Sequence, residues 1–143
     1  MTKLRPLTLT NEISKKRQET YRTVISRYDE AIEAGFYLEA ITLMESLISD
    51  RIESYFIWET AKQKKYSFKQ LGWLISQLDA NKDSRMPKSE LEQWWRLRNE
   101  ALHELAKINE NDDLDFNAKY AKAKLCAEKG KPLFRKVDDV CRM

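Results

Sequence analysis

Histidine is almost missing from this chain. His103 is the only one among 143 residues, so there is no set of imidazoles from which the chain could build its own multi-histidine metal site. Cysteine is scarce too. Cys126 and Cys141 lie far apart in one basic segment, without the short spacing of a metal-binding pair, and are not expected to bridge within one chain. Three glycines and three prolines leave few positions to interrupt long helices. No apolar run is long enough to span a bilayer, and residues 1–6 lack the apolar stretch of a secretory leader. No membrane association is expected, and a cytoplasmic location is the default. Alternating β-branched runs between turn dipeptides are absent, as are glycine-rich phosphate loops, internal repeats and low-complexity tracts. Neither sign of charge dominates. Lys and Arg number 26 against 23 Asp and Glu, a net +3 that permits an anionic partner such as RNA without arguing for one.

What is present suits helices with one apolar and one charged face: 42% hydrophobic and 34% charged residues. The expectation is an all-α protein, an antiparallel up-down bundle of about five helices. It forms a single domain over residues 1–143 with its core in about 10–142. The first helix covers about residues 10–34 and stops at Gly35, a residue suited to the position just past a helix end. The second covers about 36–64. The third starts at Ser67, which forms a capping-box pattern with Gln70, and ends near Ala80. Residues 81–87 read as a loop. The fourth helix starts near Ser89, paired with Glu92 in another capping box, and runs to about Asn109. Residues 109–113 read as a turn. The fifth runs from about Asp115 to the end, with Gly130-Lys131-Pro132 as a candidate break.

Charges in apolar arcs are the informative feature. Successive helical residues are about 100° apart. On the fourth helix Leu91, Trp94, Trp95, Leu97, Ala101, Leu102, Leu105 and Ile108 share one arc, with Arg98 in its middle. A cation there needs a partner, a cleft or another chain. His103 lies about 140° round from Arg98, outside the stripe and near Asn99 and Arg96. On the second helix an apolar arc from Ala40 to Trp58 contains Glu45 and Arg51. Glu45 is the expected carboxylate partner of Arg98, Arg51 or both. Glu39 and Asp50 are the other acidic candidates, and Glu45 alone of the three falls in the arc. The structural alternative is a buried ion pair that fixes bundle register. Trp73, Trp94 and Trp95 could stack on bases, but aromatics at helical spacing usually fill a core. Lys62, Lys64, Lys65 and Lys69 form a basic cluster that either meets phosphates or is a solvated helix end, where cations suit the dipole.

The run Arg98-Asn99-Glu100-Ala101-Leu102-His103 resembles the Arg-x4-6-His motif of the HEPN superfamily, in its form with Asn directly after Arg. Residues 37–52, from Tyr37-Leu38-Glu39-Ala40 to Ser49-Asp50-Arg51-Ile52, are similar to the long second helix of bacterial HEPN proteins. The resemblance covers roughly residues 21–140. It implies an up-down helical bundle that forms a homodimer, bringing two Arg-His pairs to one cleft. It implies an endoribonuclease that uses no metal and no cofactor, often a toxin or antiviral-defence effector, with an antitoxin or nucleotidyltransferase as a possible partner. Some members are instead inactive protein- or nucleotide-binding modules. In the active form His103 would be general acid or base toward the 2′-OH of RNA. Arg98 would clamp the phosphate. Asn99 would orient phosphate or imidazole, and Glu45, with Arg51 nearby, would support Arg98.

Overall fold

The computed structural model describes residues 3–6, 10–82, 85–103, 105 and 116–142. Among these residues there are six helices and no strand: α1 (Asn11–Ala34), α2 (Tyr37–Thr60), α3 (Gln63–Tyr66), α4 (Leu71–Ala80), α5 (Lys88–His103) and α6 (Phe116–Cys141). No helix among them is long and apolar enough to cross a membrane.

Local chemistry explains the first two helices. Thr10 Oγ1 accepts from Ile13 N at 3.2 Å and caps α1. At its other end Gly35 sits at φ 80°. Gly35 N donates to Ile32 O and Phe36 N to Ala31 O, the paired bonds of a Schellman motif. That reversal lays α1 antiparallel on α2, since Tyr21 meets Asp50 while the later Arg27 meets the earlier Glu39. α2 is the central helix, and Ile41, Met44, Ile48 and Ile52 have no exposed surface. It runs parallel to α6: Met44 lies against Gly130, and Arg51 farther along pairs with Asp138. α5 runs antiparallel to α6, with Glu90 paired to Lys136 and Glu100 to Lys122.

Several boundaries differ from the sequence expectation. α2 stops at Thr60 rather than near Lys64, with Ala61 at φ 56°. The turn lets the short α3 fold back so that Tyr66 stacks on Phe56 at 4.8 Å, and burial of two rings outweighs a left-handed alanine. Ser67 does not cap a helix. It is extended, α4 begins at Leu71, and Ser67 Oγ accepts instead from Arg5 N at 2.9 Å. Ser89 lies inside the first turn of α5, which starts at Lys88. Pro132 does not break α6. Gly130 there sits so close to α2 that a Cβ would fall 2.7 Å from Met44 Cγ. Upstream, Trp94 Nε1 and the Tyr28 hydroxyl donate to the Cys126 and Ala127 carbonyls, at 2.9 and 2.6 Å. Tertiary packing holds the segment helical where propensity alone would not. The expected turn at 109–113 lies outside the described residues, as do Asp83, Ser84 and Ile108.

The N-terminal segment is built in. Arg5 is only 6% exposed. Its Nη1 donates to Asp50 Oδ1 at 2.5 Å and Glu53 Oε2 at 2.8 Å. Its carbonyl accepts from Gln63, and Glu53 also accepts from Phe68 N. A buried arginine is tolerable only with such compensation.

Candidate functional site

The fourth long segment of the chain carries its anomalous arginine to the edge of a groove. Arg98 sits in the C-terminal half of α5, on the side facing α2. Its Nε and Nη2 both donate to Glu45 Oε2, at 3.1 and 3.0 Å, and its Nη1 donates to Asn99 Oδ1 at 3.0 Å. The guanidinium lies 4.7 Å from the Trp95 ring centre, a cation–π contact that fixes its plane. The side chains of Arg98 and Glu45 keep 18% and 19% of their exposure, so the pair is sheltered but not sealed.

Donor counting shows what this leaves. A guanidinium has five N–H groups. Glu45 takes that of Nε and one of Nη2, and Asn99 takes one of Nη1. Among the described residues one N–H on each terminal nitrogen is left without an acceptor, and guanidinium donors of this kind bind phosphate or carboxylate oxygens. The groove beside it measures about 590 Å3. It is lined by Glu45, Arg98, Asn99 and His103, together with Ser49 and Gln70. His103 is exposed at the last turn of α5. It stands about 140° round and about 7.5 Å along the helix from Arg98, yet borders the same groove.

Gly72 shapes the wall. A Cβ on Gly72 would lie 2.8 Å from Trp95 Cζ2, so only glycine lets the first turn of α4 press against the indole that carries Arg98.

Of the residues singled out in the sequence, Arg98, Asn99, His103 and Glu45 come together. Arg51 does not. Its Nε lies 2.9 Å from Asp138 Oδ1 on α6, and its guanidinium faces the Tyr21 ring at 5.8 Å. Six residues along α2 from Glu45, it points about 120° away, so the expected Arg51–Glu45 contact is absent. The rival carboxylates are also engaged elsewhere, Glu39 with Arg27 and Asp50 with Arg5 and Tyr21. Trp94 is core, as its spacing predicts, while Trp73 and Trp95 are half-buried against it. Trp58, placed in the apolar arc of α2, is instead 77% exposed. Both cysteines are free, and burial pushes their thiols up, to about 12 for Cys126 and about 11 for Cys141.

Sequence reasoning missed the cluster around Arg5. Burial disfavours the Asp50 carboxylate, but the hydrogen bond and charge of Arg5, together with the Tyr21 hydroxyl, hold its pKa below the usual value. A signal existed in Glu53, which sits within the apolar run of α2 just as Glu45 does. Among the described residues no three of His, Cys, Asp and Glu stand close enough together to hold a metal ion. No family model, curated protein or solved structure matches this chain.

Proposed function

We propose that this protein is a metal-independent endoribonuclease of the HEPN type, acting as a toxin or defence effector through a site shared by two copies of the chain. The observation that carries the reading is the state of Arg98. It is pinned by Glu45, Asn99 and Trp95, and among the described residues one donor on each terminal nitrogen has no acceptor, at the lip of a groove that His103 also borders.

In this reading RNA supplies its own nucleophile. An imidazole takes the 2′-OH proton, the 2′ oxygen attacks the adjacent phosphorus, and the P–O5′ bond breaks. The leaving 5′ oxygen receives a proton from a second acid. The products are a 2′,3′-cyclic phosphate and a 5′-hydroxyl. Arg98 holds the non-bridging oxygens and stabilises the charge that builds on them. Glu45 pre-orders that guanidinium at the cost of part of its positive field. Because each chain has one histidine, base and acid come from the His103 of each of two copies.

The test is cleavage of end-labelled RNA in excess EDTA, wild type beside His103→Ala. Cutting by wild type alone, with cyclic phosphate ends, is the expected result. Equal cutting by both proteins overturns the assignment of His103. One observation favours a second reading. Glu45 already neutralises Arg98 within the chain, as suits a protein- or nucleotide-binding module without catalysis. A folded dimer that binds RNA or nucleotide but cuts neither substrate selects it.

A further inference from the structure

The C-terminal end of α2 presents an indole that no described residue covers. Trp58 is 77% exposed although its neighbours Phe56 and Ile57 are buried. It borders an open pocket of about 290 Å3 lined also by Arg5, Arg17 and Ser54, with no acidic residue in its wall. Arg5 spends Nη1 on Asp50 and Glu53, but among the described residues its buried Nη2 has no hydrogen-bond partner. Arg17 makes no ion pair among the described residues. Burial first, and then the nearby charge of Arg5, disfavour its cation, with Asp50 opposing them in part, so an anion in the pocket would relieve it.

The basic cluster that the proposed catalytic site leaves unused lies around the same end. Lys62, Lys64, Lys65 and Lys69 are exposed, and among the described residues no carboxylate pairs with any of them. A second bare ring, Phe68, is 66% exposed, and Lys3 lies over it at 5.9 Å. The segment through Arg5 ties these parts together by its bonds to Ser67 and Gln63. The acid next to Trp58, Glu59, is drawn off by Arg85 at 3.5 Å.

Exposed flat rings set among unpaired cations are the chemistry that holds unstacked bases and a phosphate backbone. A duplex hides the base faces that such rings need. We propose that this end of the bundle binds single-stranded nucleic acid, with a phosphate seated between Arg17 and Ser54 and a base stacked on Trp58. The surface lies about 20 Å along α2 from Glu45 and uses neither Arg98 nor His103. It therefore stands whether or not the groove cuts RNA.

Fluorescence anisotropy of a labelled oligodeoxythymidine tests it, because DNA lacks the 2′-OH and cannot be cut by the route above. Wild type is expected to bind the single strand in preference to a duplex of the same length, and more weakly as salt rises. Trp58→Ala should weaken binding roughly five-fold or more, while Trp58→Phe keeps most of it. Arg17→Gln should flatten the salt dependence. All these side chains are exposed or line an open pocket, so unchanged circular dichroism is expected throughout. Binding by Trp58→Ala and Arg17→Gln equal to wild type, a preference for duplex, or no binding at low salt each overturns the proposal. None of those outcomes touches the RNA-cutting assay.

Discussion

A single side chain can serve structure and chemistry at once, and Arg98 shows how to separate the two. Its pair with Glu45 is half-sheltered, at 18% and 19% exposure, so removing one partner strands a desolvated charge. Arg98→Ala or Glu45→Ala should cost about 1–3 kcal/mol of stability, less than a fully buried pair would lose. A double-mutant cycle should return a coupling of about 1 kcal/mol. His103 is exposed at a helix end, and His103→Ala should stay within about 0.5 kcal/mol of wild type. Urea titrations measure all of these. The contrast matters for function. Lost cutting in the His103 variant cannot be blamed on lost folding, whereas the Arg98 variant needs its stability measured alongside. A His103→Ala variant destabilised as much as Arg98→Ala would give the histidine a structural role instead.

The stretch around Arg5 behaves as an element, although it has no secondary structure of its own. It joins Asp50 and Glu53 of α2 to Gln63 of α3 and to Ser67 just after it. Arg5→Met leaves Glu53, whose side chain is 9% exposed, as a buried carboxylate without its cation, at a cost of roughly 3 kcal/mol. The same contact sets an acid dependence. Arg5 holds the folded-state pKa of Asp50 below the ordinary aspartate value, against the opposing effect of burial. A carboxylate depressed on folding contributes stability that is present above its unfolded pKa. That contribution is lost as pH falls from there through the folded value. In Arg5→Met the strongest depressing partner is gone, leaving burial opposed only by the Tyr21 hydroxyl and the charge of Arg17, so acid unfolding should begin at higher pH than in wild type. Far-UV circular dichroism against pH measures this, and coincident acid transitions would show that Arg5 does not set the Asp50 titration.

At the scale of the whole molecule, what was legible in the sequence was local. Thr10 and Gly35 bound α1 because capping involves residues a few positions apart. Arg98 and Glu45 announced their pairing because each is a charge in the middle of an apolar arc. Periodicity tells which face of a helix is inward, however, and not which helix it meets. Hence Arg51 faced Asp138 of the parallel α6 rather than Glu45. Ser67 was claimed by Arg5 instead of by the next helix, and Trp58 lay beyond the reach of the core. The same limit applies to the proposed site, whose second half would come from another copy of the chain. One imidazole per chain cannot be proton acceptor and donor within one transfer step, so the proposal requires two copies and makes a quantitative demand. If wild type is refolded together with increasing shares of His103→Ala, mixed dimers hold one imidazole and should be inactive. Cutting should then fall with the square of the wild-type fraction, at constant total protein. Cutting in direct proportion to that fraction would place a complete site in each chain, and the shared cleft would have to be abandoned even if RNA is the substrate.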